Sequence, residues 1–249
     1  DLLTVARPFL KNLFELIRSL EFVIFLTDRN GFILEAIGEG LIWEYCQHKN
    51  AVVGSSFAEK YSGTTAPGIA MVTDKPYQMV AEEHYLSAIH LATCAAAPIH
   101  DDKGNVIACL DFTASYEAAQ RHPHTMGMIA AAAQVIEDQL KLQKEWEKSF
   151  LANQYLEATM QSMELGVIFL NGDDTVSYIN PTAEGIIGLA SAKITGKKVD
   201  RFFNNRILLS AIKRDEELQD QELFFLELGQ KSRFLTSYKS ITSPTGKRL

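Results

Sequence analysis

The chain has 249 residues, of which 47% are apolar and 22% are charged, a composition that excludes disordered and collagen-like architectures. Its formal net charge of −7 argues against nucleic acid as the main partner, because phosphate binding needs a cationic face. No run reaches the roughly 18 apolar residues of a membrane span, and the first residues lack the basic region of a signal peptide. We therefore expect a cytosolic globular protein.

The charge is unevenly distributed along the chain. Residues 1–140 carry 9 basic and 17 acidic side chains, whereas residues 141–249 carry 15 and 14. The net charge therefore changes from −8 to +1 between the two parts. This contrast predicts two domains.

The first element in chain order is an amphipathic helix. Its apolar residues follow the alternating spacing of three and four that is typical of a helix seam: Leu3, Ala6, Leu10, Leu13, Ile17 and Leu20. With Leu2, Phe9 and Leu16 beside it, this stripe is wider than one core face needs. Because Pro8 cannot donate a backbone hydrogen bond, we expect the regular helix to start there, with Pro8 in its first turn.

Two β-hairpins are predicted in the first part of the chain. Apolar runs at residues 22–26 and 32–36 flank the turn sequence D-R-N-G, and runs at 94–99 and 106–113 flank H-D-D-K-G. Each pair is typical of two antiparallel strands joined by a turn. Between the hairpins, the pattern predicts a helix at residues 39–47 and a loop at 63–68 that leads into a short helix at 69–72.

A long helix is predicted at residues 123–162, where only Gly127 weakens the helical pattern. One heptad register places Val135, Leu142, Leu156 and Met163 at d positions and Trp146, Asn153 and Met160 at a positions. An asparagine at an a position can fix the register of a two-stranded coiled coil. The alternative is a helix that packs only on its own domain.

Strand patterns return after Leu165. Runs at residues 166–170 and 175–179 flank the turn sequence N-G-D-D, and Asn180 and Pro181 form an N-cap and N1 pair. They predict a helix through Ile187 that ends at Gly188. A helix at 206–213, strands at 222–228 and 233–241, and turns at 229–231 and 244–246 complete the pattern. The last turn has no strand after it, so we expect the protein to continue.

Two resemblances to known families follow from these motifs. The segment G-V-I-F-L-N-G-D-D-T-V-S-Y-I-N-P-T-A-E-G-I-I-G at 166–188, followed by G-K-K-V-D-R-F-F at 196–203, resembles the first half of a PAS domain. Upstream, E-E-H-Y at 82–85, C-A-A-A-P-I-H-D-D-K-G-N-V-I-A-C-L-D-F-T at 94–113 and R-H-P-H-T at 121–125 resemble the GAF-like sensor of sigma-54-dependent activators of acetoin and glycerol catabolism.

The order GAF then PAS is similar to that of the regulators of dihydroxyacetone kinase operons. The resemblance implies an α+β fold, with a GAF-like sensor and dimerisation domain at residues 1–150 joined by a long helix to a PAS domain at 151–249. It also implies binding to the kinase subunits, one antagonising and one activating transcription. An AAA+ ATPase and a helix-turn-helix domain would lie beyond this chain.

Nucleophilic catalysis is not favoured by the sequence. Cys94, His100 and Asp101 suggest a catalytic set, but Cys94 and His100 lie at opposite ends of one predicted strand, about 20 Å apart. The odd number of cysteines, Cys46, Cys94 and Cys109, has no C-x-x-C pair and indicates buried thiols rather than disulfides or a zinc ribbon. No phosphate-binding glycine motif occurs, so we expect no nucleotide hydrolysis.

Metal and cofactor sites are also not favoured. His122 and His124, with His100 or His84, could form a metal site, but H-P-H is also a natural turn before a helix, with Pro123 at N1. We interpret His90, between Ile89 and Leu91, as a core or strand histidine. Since no cysteine follows Cys109 and no histidine follows His124, the PAS domain lacks a flavin-reactive thiol and a haem ligand. We expect a well-packed PAS core without a cofactor.

These inferences converge on a regulatory, non-enzymatic sensor that forms a homodimer. The predicted dimer seam consists of Leu10, Leu13, Ile17, Leu142 and Trp146, and the predicted partner surface consists of Lys197, Lys198, Arg201 and Arg206. A partner protein would shift the bundle of long helices between two packings. The alternative function is a small-molecule sensor in which the GAF pocket holds a polyol or ketone.

Overall fold

The computed structural model describes residues 2–122, 124–203, 205–225 and 232–242. The chain divides into two compact units, residues 1–148 and residues 149–249. None of the helices in the described ranges combines the length and apolar character needed to cross a membrane.

The first unit is built on a five-stranded antiparallel sheet with the order β2-β1-β5-β4-β3. Its strands are β1 (Val23–Asp28), β2 (Ile33–Ile37), β3 (Tyr77–Val80), β4 (Ala92–His100) and β5 (Val106–Ser115). Its helices are α1 (Leu2–Ile17), α2 (Gly40–His48), α3 (Glu59–Ser62), α4 (Ala66–Thr73), α5 (Tyr116–Arg121) and α6 (Thr125–Ser162). Both predicted hairpins are present, whereas β3 is a strand that the sequence pattern did not indicate.

The sheet is covered on both faces, and the alternation of β5 separates them. Leu110, Phe112 and Ala114 share one core with residues of α1 and α6. Cys109 belongs to a separate core with residues of α4 and β3, and Asp111 and Thr113 follow it at the same period of two. We call the sheet face that carries Leu110, Phe112 and Ala114 the helix face, and the opposite face, which carries Cys109, Asp111 and Thr113, the cavity face.

An aspartate organises each predicted hairpin turn. Asp28 Oδ1 accepts from the backbone N–H groups of Asn30 and Phe32, both at 2.8 Å. Asp101 Oδ1 accepts from those of Lys103 and Asn105 at 2.8 and 2.9 Å, and the hydrogen bond from the Asn105 side chain, with these backbone bonds, lowers the pKa of Asp101 to about 2. Local side-chain bonds of this kind are why the turns could be predicted from sequence.

Helix α1 starts earlier than expected. It begins at Leu2 and contains Pro8 in its interior, so the prediction that it starts at Pro8 is wrong. Ala6 is fully buried and Leu2 and Leu3 pack against the core. This packing extends the helix toward the N-terminus and offsets the backbone hydrogen bond that Pro8 cannot donate. Helix α4 likewise begins before its predicted start, because Thr65 caps it by accepting from Gly68 N–H at 3.2 Å.

Helix α6 changes character along its length. Its 38 residues would extend about 57 Å at 1.5 Å per residue. Ile129, Ala132, Ala133 and Ile136 are buried on the helix face of the sheet, whereas nearly every residue from 141 to 159 is exposed. The predicted helix is therefore confirmed from Thr125, while Pro123 lies outside the described residues.

Within the described ranges, the second unit contains two two-stranded antiparallel sheets and three α-helices in addition to the C-terminal part of α6. The strands are β6 (Ile168–Leu170) paired with β7 (Val176–Ile179), and β8 (Leu218–Phe225) paired with β9 (Ser232–Tyr238). The helices are α7 (Pro181–Ile187), α8 (Ser191–Ile194) and α9 (Arg206–Arg214). The predicted turns at 229–231 and 244–246 and the end of the strand predicted at 222–228 lie outside the described residues.

Asn180 joins three segments of the second unit. Its fully buried side chain accepts from the backbone N–H of Val167 at 2.8 Å and, as the N-cap of α7, from that of Ala183 at 2.9 Å. Its Nδ2 donates to the carbonyl oxygens of Met160 at 3.0 Å and Leu165 at 2.9 Å. One amide thus satisfies four backbone groups, three around the turn between α6 and β6 and one in the first turn of α7.

We predict that Asn180→Ala destabilises the second unit by about 3 kcal/mol, because it removes a helix cap and leaves several backbone groups unpaired. Asn205→Ala is the matched control, since Asn205 caps α9 through bonds to Ile207 and Leu208 only and should cost about 1 kcal/mol. Hydrogen exchange of peptides from residues 149–225 measures both. Equal effects of the two substitutions would contradict the bridging role of Asn180.

Candidate functional site

A cavity of about 100 Å³ lies on the cavity face of the first unit. Its apolar walls include Phe25, Cys46 and Phe57, and its polar walls include His84, Asp111 and Thr113. The strand β5 supplies the last two side chains, and the segment after β3 supplies His84. Helix α2 and the loop before α4 close the remaining sides.

Asp111 is the acidic group of this cavity and is 1% exposed. Its Oδ2 accepts a hydrogen bond from Thr113 Oγ1 at 2.7 Å, while Oδ1 is buried with no hydrogen-bond partner in the described part of the chain. Burial raises the pKa of Asp111 to about 7, although the bond from Thr113 opposes the shift. The carboxyl group is therefore neutral in a large fraction of molecules near neutral pH.

His84, which lines the same cavity, has an unprotonated ring nitrogen. Its Nδ1 lies 2.9 Å from the carbonyl oxygen of Ala81, and because a carbonyl only accepts, Nδ1 carries the proton. Burial lowers the pKa of His84, which favours the neutral ring. Nε2 is then an acceptor, and it is buried with no partner among the described residues.

The cysteines around the cavity are not activated. Burial, with the nearby Asp111 carboxyl, raises the pKa of Cys46 to about 12 and those of Cys94 and Cys109 well above the ordinary value. Cys94 Sγ lies 3.3 Å from Thr113 Oγ1. The thiol form of all three is favoured, and thiols are poor nucleophiles. The expectation of buried thiols holds for Cys46 and Cys109, whereas Cys94 is partly buried.

His100 links two helices of the first unit through paired carboxylates. Its Nε2 lies 2.6 Å from Asp74 Oδ1, at the end of α4, and its Nδ1 lies 2.6 Å from Glu137 Oε1 on α6. The backbone N–H of His100 also donates to Glu137 Oε1 at 2.8 Å. Hydrogen bonds to Asp74 and Glu137 raise the pKa of His100 although partial burial opposes them. We call this arrangement the His100 bridge.

The structure separates the residues of the predicted dimer seam. Leu10 and Ile17 are buried inside the first unit, against its own sheet. Leu13 is partly buried against the same core. Leu142 and Trp146 are 57% and 65% exposed on α6.

The other predicted site residues lie apart from the cavity. Lys197, Lys198, Arg201 and Arg206 are all exposed in the second unit, and Lys198 Nζ donates to the carbonyl oxygen of Asp173 at 2.6 Å. Over the residues that the structure describes, no group of three His, Cys, Asp or Glu side chains is placed so that it could hold a metal ion. His84 and His100 are held separately, by Ala81 and by the two carboxylates, and His90 Nε2 contacts the carbonyl oxygen of His84 at 3.0 Å.

The second unit holds a larger cavity of about 390 Å³. Its walls are mainly apolar and include Ile168, Leu170, Phe203 and Leu208. The expectation of a well-packed core in this domain is therefore wrong. Asp111 and His84, each with a buried polar atom that has no partner among the described residues, line the smaller cavity instead.

Sequence reasoning missed Asp111, His84 and the His100 bridge as site residues. One signal was available, since Asp111 interrupts the otherwise uncharged run A-C-L-D-F-T-A at residues 108–114. A carboxylate inside a strand that is buried on both faces is rare without a partner. The pair Asp74 and Glu137 carries no comparable local signal, because both residues are distant in sequence from His100, which they contact.

Comparison with known proteins shows the family and the fold. The family described as "MimR, N-terminal domain" matches residues 1–138. The structure is similar to that of the Escherichia coli protein in "Crystal Structure of the E.coli DhaR(N)-DhaL complex", with a TM-score of 0.87, 21% identity and coverage of 98% of this chain and 83% of that one. The predicted α+β fold with an antiparallel sheet and flanking helices is thereby confirmed.

Three relatives are transcriptional regulators by name. The "Signal-transduction and transcriptional-control protein" of Clostridium beijerinckii is 28% identical over 94% of this chain and 36% of its own length. "Acetoin dehydrogenase operon transcriptional activator AcoR" of Bacillus subtilis is 31% identical over 66% of this chain and 27% of its own. The "PTS-dependent dihydroxyacetone kinase operon regulatory protein" of Escherichia coli is 21% identical over 90% and 35%. The matches thus span only about a third of these relatives.

We predict that the His100 bridge makes stability depend on pH. Because the pKa of His100 is raised in the folded state, its contribution is complete below the unfolded value of about 6.5 and is lost as pH rises through the folded value. His100→Asn should therefore destabilise the chain more at about pH 6 than at about pH 9. Urea unfolding followed by tryptophan fluorescence measures the difference. His48→Asn, at an exposed position, is the control. If His100→Asn lowers the free energy of unfolding equally at both pH values, the proposal that His100 is charged in the bridge is wrong.

Proposed function

The chain belongs to the MimR N-terminal domain family, and on that basis we propose that it is the N-terminal regulatory region of a bacterial transcriptional activator. The observation that carries the proposal is the similarity along nearly the whole chain to regulators of catabolic operons. We assign the metabolism to dihydroxyacetone and glycerol, and we place a AAA+ ATPase and a DNA-binding domain downstream in the whole protein. A role in bacterial transcription would place the protein in the cytoplasm.

We assign residues 1–150, which include the whole first unit, to a GAF-like sensor and dimerisation domain, and residues 151–249 to a PAS domain. The five-stranded antiparallel sheet with helices on both faces supports the first assignment. The hairpin of β6 and β7, which runs directly into a helix capped by Asn180, supports the second.

The proposed partners are dihydroxyacetone kinase subunits. The structure of the Escherichia coli protein is that of a complex with DhaL, and a relative is named for the kinase operon. We place the contact on Lys197, Lys198, Arg201 and Arg206, whose exposure leaves the cationic groups accessible to an acidic surface.

A regulatory rather than enzymatic role is supported by the state of the reactive side chains. The three thiols have raised pKa values. Cys94 and His100 are six residues apart along the extended strand β4, a distance of about 20 Å. His100 is bound to two carboxylates. None of these groups is arranged as a nucleophile with its base.

The exposed part of α6 supports homodimerisation. Leu142, Trp146 and Leu156 are all more than half exposed and follow the heptad register in which Asn153 takes an a position. Two copies of α6 would bury these side chains in a parallel coiled coil, with Leu13 at its margin. A partner that binds one packing of this coiled coil more tightly than another would shift the population and thereby signal.

A second function, the sensing of a small molecule, is favoured by the cavity with its two buried polar atoms that lack hydrogen-bond partners among the described residues. The two functions are compatible, because a ligand inside the first unit and a protein on the surface of the second could act on the same activator.

We expect isothermal titration of this chain with each purified dihydroxyacetone kinase subunit to give saturable heat for at least one of them. Lys197→Glu combined with Arg201→Glu should weaken that binding roughly tenfold, since reversed charges repel an acidic partner. Lys239→Glu, at another exposed position of the second unit, is the matched control. The absence of binding heat with every subunit would refute the proposed partners. If Lys239→Glu weakens subunit binding as much as the double variant does, the proposed surface is wrong.

We also expect Leu142→Glu combined with Trp146→Glu to convert a dimer to monomers in multi-angle light scattering, because four charged side chains would face one another in the coiled coil. Leu16→Glu is the matched control, since Leu16 is 81% exposed on α1 and outside this seam. A dimer that persists in the double variant would rule out α6 as its interface. Substitution of Ile17 is unsuitable, because that side chain belongs to the core.

A further inference from the structure

We propose that the His100 bridge is a proton-dependent switch between α4 and α6. With a proton on both ring nitrogens, His100 connects the two helices, and when the ring loses one proton it keeps its bond to Glu137 and releases Asp74. The switch is a property of the first unit and does not rest on the proposed function. Its use in signalling does rest on that function.

The imidazole of His100 makes one bond from each ring nitrogen to a carboxylate. Nε2 lies 2.6 Å from Asp74 Oδ1, and Nδ1 lies 2.6 Å from Glu137 Oε1. Because a carboxylate only accepts, each of these bonds needs a proton on the ring, and only the imidazolium form carries two. The observed arrangement is therefore that of a charged ring. A neutral ring would place a lone pair against one of the two carboxylates.

The surroundings of the two carboxylates decide which bond is lost. Glu137 Oε1 also accepts from the backbone N–H of His100 at 2.8 Å, and its side chain is 20% exposed. The Asp74 side chain is 57% exposed, and within the described residues its bond to another element is the one from Nε2. Water can solvate Asp74 once that bond breaks, so the exposed contact costs less to lose. The remaining proton therefore stays on Nδ1.

Release of Asp74 frees the C-terminal end of α4. The beginning of this helix is anchored, since Ala66 and Ala70 are fully buried and Thr65 caps the first turn. In contrast, every residue from 72 to 78 is exposed. The bond to His100 thus holds the exposed end of α4 to the end of β4, and its loss allows this end to open locally.

The turn after β4 holds α6 at a second point that does not involve His100. Lys144 Nζ donates to the two carboxylate oxygens of Asp102 at 2.7 and 2.6 Å, and this bond lowers the pKa of Asp102. Lys144 follows Glu137 by seven residues, which places both on one side of the helix. Helix α6 therefore stays bound to the turn in both states of the ring, and only α4 is released.

The direction of the switch follows from the charges around the ring. Hydrogen bonds to Asp74 and to Glu137 raise the pKa of His100, although partial burial opposes them. The bridge is therefore complete below the unfolded value of about 6.5 and opens as pH rises through the folded value. In the described part of the chain, the other charged residues beside this contact do not bond to the ring: Lys75, Lys141, Lys144, Asp101, Asp102 and Lys103.

The switch connects the cavity with the exposed part of α6. Thr65 and Pro67, at the start of α4, line the cavity, and Leu142 begins the exposed seam of α6. With the bridge closed, a movement of α4 acts on α6 through the imidazole. With the bridge open, it does not. The protonation of His100 would thus set how strongly an event at the cavity reaches the proposed dimer contact.

The first test is nitrogen NMR of the chain labelled with ¹⁵N-histidine, in which His100→Asn assigns the signal. We expect protons on both ring nitrogens of His100 at about pH 6, and on Nδ1 alone at about pH 9. A neutral ring with its proton on Nε2 would show that Glu137 is released instead, and the proposal would be wrong. A ring that is already neutral at about pH 6 would overturn it as well.

Hydrogen exchange tests the release of α4. After correction for the intrinsic effect of pH, exchange in residues 69–75 should be at least about tenfold faster at about pH 9 than at about pH 6. Residues 137–144 should change less than about twofold, because the turn still holds α6. Unchanged protection of 69–75, or an equal loss in both segments, would contradict the switch.

Asp74→Asn separates the connection from its dependence on the proton. An amide can accept from protonated Nε2 and can donate to unprotonated Nε2, so this variant should keep 69–75 protected at both pH values. Asp102→Asn is the matched control, since it removes an exposed carboxylate from the second contact of the same turn and should leave the effect of pH intact. If Asp74→Asn responds to pH as the unmodified chain does, Asp74 is not the released group. No kinase subunit or ligand is needed, so failure of the switch is distinguishable from failure of the proposed function.

Discussion

The register of strand β5 is the constraint on which the first unit depends. The strand is paired on both sides, with β1 and β4, and covered on both faces, so every side chain along it has a fixed environment. Leu110 and Phe112 face the helices, and Asp111 between them faces the cavity. A slip by one residue would exchange these environments and place the carboxyl group among α1 and α6. The core packing therefore also holds the candidate site in place.

The same constraint makes the polar groups of the cavity a stability cost. A sequence selected for packing alone would have an apolar residue at position 111. The other residues from 108 to 114 are uncharged, and all but Thr113 are apolar. In the described part of the chain, one oxygen of the buried Asp111 carboxyl group and one nitrogen of the buried His84 imidazole have no hydrogen-bond partner, and such groups oppose folding. Departures from local packing rules of this kind concentrate at functional sites in proteins. This is the physical reason to connect the cavity with binding.

Much of the fold could be predicted from sequence because its signals are local. The turns at Asp28 and Asp101 and the cap at Asn180 are bonds between near neighbours in the chain. The His100 bridge could not be predicted, because His100 lies 26 and 37 positions from the two carboxylates that it contacts. The cavity could not be predicted, because its walls come from strands whose order is set only in the folded sheet. The stripe on α1 was correctly identified as apolar, but periodicity does not distinguish burial against the chain's own sheet from burial against a second chain.

The cavity face and α6 are connected within the first unit. Asp74 is the C-cap of helix α4, beside the cavity, and α6 carries Glu137 directly after its last buried residue, Ile136. The imidazole of His100 binds both carboxylates at the end of β4. A displacement of α4 must therefore either carry α6 with it or break one of these bonds. Since the exposed seam of α6 begins at Leu142, less than two turns farther on, such a displacement acts directly on the proposed dimer contact.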